Sequence, residues 1–575
     1  MADESHVVKA VDWRALFPFT LIFRSFRVAV HPSKLILALL AIFLIYAGGR
    51  ALDWIWPEKY QAIPSVTGDV TEIDLYTNSG YPASLSSGKI WPDLYSGLGA
   101  LGNTSAGFTQ SLSDLEKTRQ EQLTAYRARY SWLKPDADYG DLKAAIKATR
   151  DNRITVAEKR YNDAPNKTEQ DRHVLEEAKF AARVDANREW QGVRALMKRG
   201  LFDTFIDHQL SATDEVVSSV RAGEWIQTSG VTAKLRRFLS DGPVWAVRKH
   251  PVFFSICSLY MLAVWAVFGG AIARIAAVHV ARDEKISIRQ ALRFSTSKFL
   301  SFFSAPLIPL IIVLAIAVVM AVFGMVSLIP FVGPIAVGVG FILFLLGGFL
   351  ITLVFFGWIG GSGLMYPTIA VEGSDSFDAI SRSFSYLYAR PWKLAFYTAV
   401  ALLYGSICYI FVRFFIYILL RVTERSSGAW AYARETATGL SAFNVMLPAQ
   451  RGTQYLSFWP NFFDLGPGQA IGAFFIWLWV SLVVAMLGAF AISFYFSAGT
   501  IIYMLLRNDV DATELDDVYI DQPDEEFMET APTVPTASAT PGTTTADPIV
   551  GQPADVAPPP ASSDAPVDNP PAQPQ

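Results

Sequence analysis

The residues of this sequence that could do chemistry are a few ionisable side chains within or beside long apolar runs. Arg413 lies inside one run, and Arg274 and His279 lie near the end of another. A charge held in hydrocarbon is costly and usually marks a path for an ion, a proton or a substrate. Arg413 could therefore bind an anionic headgroup or substrate, or its long side chain could reach the outer interface of the membrane.

Two polar motifs that begin helices repeat at a distance of 88 positions. EKISIRQALRFS begins at Glu284, and GSDSFDAISRSFS begins at Gly373. In each motif, two polar residues are spaced as a helix N-cap and the third helical residue, a pair that can bond each other's backbone. Each motif therefore predicts a helix that starts directly after a span. The cap pairs are Ser287 with Gln290 and Asp375 with Asp378.

The helices that follow these caps are predicted to be amphipathic. We call them the elbow helices, at 284–300 and 372–388, and we expect each to lie in the membrane interface between two spans. Arg289 and Arg293 form a basic face on the first one and are candidate contacts for an anionic lipid or substrate. The repeat distance contains two whole spans, so both elbow helices should face the same side of the membrane, as in a parallel repeat.

The sequence carries none of the common catalytic or cofactor motifs. It has no Gly-rich phosphate loop, no zinc-protease motif and no serine-hydrolase motif, and its six histidines are scattered. Cys257 and Cys408 both lie in apolar runs, so neither a disulfide framework nor a zinc cluster is available. We therefore predict no enzyme activity, no metal, no cofactor and no binding of nucleic acid.

The composition is that of an integral membrane protein. With 52% hydrophobic and 17% charged residues, the chain is less charged than soluble proteins, in which about 25% of residues are charged. The predicted fold class is all-α, with about six transmembrane helices, amphipathic interfacial elbow helices, a helical soluble insertion and a disordered tail. The expected spans cover 35–55, 252–280, 307–328, 335–360, 394–420 and 470–505.

Changes in composition divide the chain into five predicted parts. The tail has fourteen acidic residues, no basic ones and many prolines, a composition that is typical of disorder. The long loop after the first span carries helix-start signals such as Ser113 with Glu116. The parts are a basic amphipathic N-terminal segment at 1–34, a first transmembrane helix at 35–56, a mainly helical domain at 57–248, a five-helix membrane domain with two parallel repeats at 249–507, and the tail at 508–575.

The distribution of Lys and Arg predicts the orientation. Basic residues cluster in the N-terminal segment, in 281–299 and in 372–393, whereas the hairpin at 327–334 has none. Because basic loops stay on the cytoplasmic side, both termini are predicted to be cytoplasmic, and the helical domain extracytoplasmic, in a bacterial inner membrane. Five basic residues in 234–249 oppose this assignment, but long loops escape the rule.

Several residues outside the caps follow a shared pattern. An acid after a span, an A-[IL]-x-x-S start of an amphipathic helix and a final Tyr…Leu-Arg are present as Glu372, Ala379-Ile380 with Ser383, and Tyr503 with Leu506-Arg507. With this pattern, the region 250–520 resembles a group of bacterial membrane proteins that includes the membrane domain attached to some glycerophosphodiester phosphodiesterases. No catalytic domain of that type accompanies it here.

Two functions from different classes fit these features. The first is a non-enzymatic membrane protein that organises lipids, including anionic ones, or binds a protein partner through 57–248 or the acidic tail. The second is a transporter or lipid-handling protein that uses a groove between the two membrane repeats. The first is our leading hypothesis, because the sequence offers no carboxylate within a span that could carry protons.

Overall fold

The computed structural model describes residues 17–64, 72–73, 105–134, 136–165, 167–224, 230–431 and 467–519. Within these ranges the chain is helical, and no β-strand is present. Six of the described helices are long and apolar enough to cross a membrane. The protein is an all-α multi-pass membrane protein, which confirms the predicted fold class. The first sixteen residues and the tail from residue 520 onward, for which we predicted a basic segment and disorder, lie outside the described residues.

The helices are labelled α1 to α17 in chain order, after a 3₁₀ helix at Pro18–Arg24. Those before the membrane domain are α1 (Ser25–Ala29), α2 (Pro32–Ile55), α3 (Ser105–Ala128), α4 (Tyr139–Asn162), α5 (Glu169–Ala195), α6 (Leu201–Ala222), α7 (Val231–Arg236) and α8 (Gly242–Lys249). The others are α9 (Pro251–Arg282), α10 (Ile288–Ser297), α11 (Phe299–Ser304), α12 (Leu307–Gly324), α13 (Val332–Val339), α14 (Phe341–Glu372), α15 (Ser376–Ala389), α16 (Pro391–Ala431) and α17 (Pro467–Asp511).

The spans are α2, α9, α12, α14, α16 and α17. Two of them, α9 and α14, have 32 residues each and are about 48 Å long, whereas the hydrocarbon layer is about 30 Å thick. Parts of both helices therefore extend beyond the hydrocarbon. At their C-terminal ends every residue of 269–279 and 364–371 is buried, as is every residue of 500–506 in α17. We call this part of the bundle, where α9, α14 and α17 finish, the elbow end.

The three spans that finish at the elbow end terminate in the same way. Asp283 after α9, Gly373 after α14 and Ala512 after α17 have φ angles of 55°, 65° and 53°. A left-handed residue after the last turn lets the following chain bond back to the free carbonyl groups of a helix. The end of α17 thus has the same backbone conformation as the ends of α9 and α14, although no elbow helix forms in 512–519.

The second elbow helix, α15, folds back along the span that precedes it. The Tyr388 hydroxyl donates a 2.6 Å hydrogen bond to the carbonyl oxygen of Leu353. Phe384, one turn earlier in α15, packs against Gly357, one turn later in α14. Contacts that run in opposite directions along the two helices define an antiparallel hairpin.

The first elbow helix, α10, is packed on α9 in the same way. The Ser295 hydroxyl donates to the carbonyl oxygens of Ala266 and Val267 at 2.8 and 2.6 Å. A Cβ atom added to Gly270 would lie only 2.5 Å from the Ser295 oxygen, so the two helices are in close contact. This differs from the predicted position of the elbow helices in the lipid interface. The ends of α9 and α14 offer each amphipathic helix a protein surface with small residues, which satisfies its apolar face as well as lipid would.

Aromatic rings fill the space between the two repeats at the elbow end. The ring centroids of Phe302 and Tyr366 are 5.1 Å apart, and those of Tyr366 and Phe496 are 5.7 Å apart. These three side chains come from α11, α14 and α17. These rings therefore connect the first elbow region to the fourth and last spans.

The helical domain is attached to the first span by a side-chain cap. The Asp53 carboxylate, at the end of α2, accepts hydrogen bonds from the backbone N–H groups of Phe202 and Asp203 at 2.9 and 3.1 Å. These groups belong to the first turn of α6, whose own N-cap, Gly200, has no side chain to bond them. A residue from a span therefore fixes where α6 begins.

The folded body extends beyond the predicted start of the tail at residue 508. The last span, α17, continues to Asp511. Residues 512–519 then pack back onto the elbow end, where Val518 is 5% exposed and the Tyr519 N–H group donates a 2.8 Å hydrogen bond to the carbonyl oxygen of Val371. The first acidic residues after Arg507 pair with basic residues of the bundle. The composition of the tail does not reveal these pairs.

Candidate functional site

Both predicted cap pairs lie at helix starts. The Gln290 N–H group donates to Ser287 Oγ at 3.2 Å, and the Ser287 N–H group donates to Gln290 Oε1 at 3.1 Å. In the second motif, the Asp378 N–H group donates to Asp375 Oδ1 at 2.9 Å. The Asp378 carboxylate pairs with Arg382 at 3.1 Å instead of bonding back to the cap. The two motifs therefore share the cap and differ in their charges.

Arg289 and Arg293 form an exposed basic face on α10. They lie one turn apart, and neither guanidinium group has a hydrogen bond or an ion pair with another described residue. The opposite face of α10 is buried against α9 through Ala291, Phe294 and Ser295. The helix is thus held by its apolar face, and its two guanidinium groups remain available.

A buried carboxylate joins the fourth span, the second elbow helix and the last span. The side chain of Glu372, at the end of α14, is 9% exposed. Its oxygens lie 2.9 Å from Arg382 Nε and 3.3 Å from Arg507 Nε. The Tyr503 hydroxyl donates a third contact, at 2.5 Å. Because its oxygens are bonded in this way, Glu372 joins three helices and is not a free base. We call Glu372, Arg382, Tyr503 and Arg507 the carboxylate cluster.

Acidic residues at the end of α17 and in the segment 512–519 lie beside the carboxylate cluster. The Tyr386 hydroxyl donates to Asp511, and Arg507 donates to Asp517 Oδ2 at 2.8 Å. Burial, and then the hydrogen bond to Asp511, raises the pKa of Tyr386 to about 12. Burial lowers the pKa of Arg382, but its hydrogen bonds and the charges of its acidic neighbours outweigh this effect and leave that pKa above its usual value. Arg382 therefore keeps its charge, and that charge is neutralised locally.

Arg274 binds one backbone carbonyl group at the end of α14 and one in the segment 512–519 that follows α17. It donates to the carbonyl oxygens of Ala370 and Tyr519 at 2.8 and 2.6 Å. Its guanidinium group also lies over the ring of Phe294, 4.4 Å from the centroid. The last carbonyl groups of a helix need such donors, and a cation is favourable there. The sequence suggests Arg274 as part of a path for an ion, a proton or a substrate. In the structure it instead bonds to the C-terminal end of α14.

Arg413 is paired with a residue of the helical domain. Its guanidinium group lies 2.7 Å from Asp214 Oδ1 on α6, and the side chain of Arg413 is 9% exposed. Arg413 is about 33 Å along α16 from Pro391, slightly more than the roughly 30 Å thickness of the hydrocarbon layer. The pair links the helical domain to the fifth span. This is a third role for Arg413, besides the lipid contact and the extension to the interface considered above.

The sequence does not predict the partners of three acidic residues near the end of α17. Its composition places Asp509, Asp511 and Asp517 in the tail. In the structure, Asp509 pairs with Lys393 at 2.8 Å, Asp511 binds Tyr386 and Asp517 binds Arg507. A signal was present, because Tyr503 stands six positions before Asp509 as Tyr366 stands before Glu372. That spacing marks the end of α17 as a third copy of the same span end.

Among the described residues, no group of three His, Cys, Asp or Glu side chains could hold a metal ion. The chain matches no protein-family model, no curated protein and no solved structure.

Proposed function

We propose that this protein organises anionic lipids and partner proteins in the membrane and that it does so without catalysis. The observation that carries the proposal is the exposed pair Arg289 and Arg293 on α10, which has no ion pair with another described residue. Each Lys or Arg near an anionic membrane surface contributes about 1 kcal/mol of attraction. Arg382 on the second elbow helix is neutralised by Glu372 and Asp378. The first repeat is thus the lipid-binding one.

The charged groups inside the bundle support a structural role. Glu372, Arg274 and Arg413 each connect two or more helices through short contacts. Spans joined by such contacts can hold lipids and partners at fixed positions. The partner surfaces in this proposal are the helical domain at 57–248 and the acidic tail.

The location in the proposal is the bacterial inner membrane, with both termini cytoplasmic. The elbow end carries Arg282, Lys285, Arg289 and Arg293 on exposed surfaces, and basic residues favour the cytoplasmic side. The helical domain then lies outside the cytoplasm. The resemblance to the membrane domain of some glycerophosphodiester phosphodiesterases is part of the same proposal, because it concerns the region that forms the elbow end.

The proposal is tested by lipid binding to the full-length protein. The Arg289→Gln/Arg293→Gln variant should bind fewer phosphatidylglycerol molecules than the wild type in native mass spectrometry from mixed micelles with phosphatidylcholine. Its melting temperature should be unchanged, since neither side chain has a partner to lose. Arg188→Gln/Arg194→Gln, on exposed positions of α5, is the matched control. Equal phosphatidylglycerol binding by all three proteins would exclude the proposed role of the basic face.

A further inference from the structure

Three buried nitrogen atoms at the elbow end have no hydrogen-bond partner among the described residues. They are Lys34 Nζ, His31 Nδ1 and His279 Nδ1. Lys34, in the first turn of α2, is 0% exposed, and His279, in the last turns of α9, is 8% exposed. The imidazole rings of His31 and His279 are 5.7 Å apart between centroids. Buried polar atoms are almost always bonded to protein, water or a ligand, so three unpartnered nitrogens on neighbouring side chains indicate a missing partner.

The charges around these atoms are mostly positive. Lys34 and Lys285 act on His31, and Lys34 and Arg27 act on His279. The carboxylate that faces them is Asp283, whose side chain is 79% exposed and lies 3.6 Å from His279 Nε2. A buried amine without a close carboxylate either loses its proton or needs an anion beside it.

We infer that Lys34, His31 and His279 form a site for a phosphate group, which we call the Lys34 site. A phosphate supplies several acceptor oxygens and a negative charge, so it can satisfy all three nitrogens at once. His31 is only partly buried, so the site borders the protein surface at this residue. Burial, followed by the charges of Lys34 and Lys285, lowers the pKa of His31. A neutral imidazole still offers one N–H donor to a phosphate oxygen.

The position of Lys34 places this site at the level of lipid headgroups. Lys34 is the third residue of the first span, so it lies where the hydrocarbon begins. The phosphate of an anionic phospholipid and free inorganic phosphate present the same chemistry to these nitrogens. The lipid form of this inference deepens the proposed function, because it adds one defined headgroup site to the general attraction of Arg289 and Arg293.

Lys34→Met in the full-length protein is the decisive variant, because methionine keeps the unbranched shape of the side chain and removes the amine. In phosphate-free detergent, the variant should melt at a higher temperature than the wild type, since the unpartnered charge is gone. Added inorganic phosphate or phosphatidylglycerol should stabilise the wild type more than the variant. Lys298→Met, at the partly exposed lysine that follows α10, should behave as the wild type.

The source of the phosphate is distinguished by two probes. Stabilisation by millimolar inorganic phosphate alone would assign the site to a soluble phosphate compound, and stabilisation only by phosphatidylglycerol would assign it to a lipid. In native mass spectrometry, one phospholipid or phosphate should remain bound to the wild type, with affinity about tenfold weaker in Lys34→Met. This measurement on the wild type stands even if the variant folds poorly.

Two results would overturn the inference. The first is a wild type that retains and responds to neither probe, and the second is a Lys34→Met variant that binds both probes as the wild type does. The outcome is separable from that for the proposed function. Arg289→Gln/Arg293→Gln should keep the single tightly bound phosphate and lose only the additional, weakly held phosphatidylglycerol molecules.

Discussion

The hydroxyl group of Tyr503, on the last span, donates a 2.5 Å hydrogen bond to the carboxylate of Glu372, at the end of the fourth span. The two residues are 131 positions apart. Their contact, together with Arg382 and Arg507, holds together the two spans and the second elbow helix. At the elbow end, the Glu372 carboxylate therefore binds two guanidinium groups and one phenol.

Replacement of this carboxylate should weaken the whole bundle. Glu372→Gln leaves Arg382 and Arg507 without their shared anion, and we expect a loss of about 2 kcal/mol, the size typical of a hydrogen bond to a charged group. Thermal unfolding in detergent measures this. Glu284→Gln is the matched control, because Glu284 occupies the aligned position of the first repeat and is exposed. A Glu372→Gln variant as stable as this control would show that the cluster contributes nothing to stability.

Two truncations should locate the end of the folded body. A chain that ends at Tyr519 should keep the wild-type melting temperature, because the segment 512–519 and its contacts are retained. A chain that ends at Asp511 should melt several degrees lower, since it loses the Tyr519 bonds to Val371 and Arg274. It also loses the pairing of Arg507 with Asp517. Equal stability of the two chains would mean that the segment adds nothing to the body.

The sequence predicts the helices and their starts better than it predicts their partners. Span positions follow from apolar runs that only a membrane can accommodate, and the caps at Ser287 and Asp375 follow from local bonds within four residues. Where the elbow helices lie does not follow in the same way. The apolar face of α10 can be buried either in lipid or against the end of α9. Which of the two surfaces buries it depends on how far α9 extends.

The sequence does not predict the charged contacts, for a related reason. Glu372 and Arg507 are 135 positions apart in sequence, and Arg413 and Asp214 are 199 apart, so no local pattern pairs them. Lys34 counted only as one more basic residue before the first span. Its burial depends on the packing of α2 against α9, which the pattern of either helix alone does not specify.

A larger residue at Gly270 should separate the first elbow helix from its span. A Cβ atom there would lie 2.5 Å from Ser295 Oγ and 2.8 Å from the ring of Phe302. We expect Gly270→Val to destabilise the protein by about 1–3 kcal/mol, as overpacking usually does. Gly348→Val is the control, because no atom lies within 4 Å of a Cβ atom at that position of α14. Similar melting temperatures for the two variants would contradict the hairpin of α9 and α10.

The elbow end should lose stability in acid through His31. Burial, followed by Lys34 and Lys285, lowers the pKa of His31 from 6.5, so below pH 6.5 the unfolded chain binds a proton that the folded protein resists. Stability contributed by the neutral imidazole is thus complete above pH 6.5 and is lost as the pH falls below it. In phosphate-free detergent, His31→Gln should show a smaller decrease in melting temperature between pH 7.5 and pH 5.5. His173→Gln, at an exposed position of α5, should decrease as the wild type does, and an identical decrease in all three proteins would exclude His31 as the sensor.

The helical domain and the elbow end should lie on opposite sides of the membrane. Asp136, between α3 and α4, and Asp516, after α17, are both exposed, and the native Cys257 and Cys408 are buried and should react slowly. In intact cells, a membrane-impermeant thiol reagent should label Asp136→Cys and should label Asp516→Cys only after lysis. This follows because the basic elbow end is retained in the cytoplasm, and because a span connects each face of the bundle to the other. Labelling of Asp516→Cys alone would invert the orientation and would move the basic face of α10 and the Lys34 site to the outer leaflet. Labelling of both cysteines in intact cells would instead contradict the six-span topology itself.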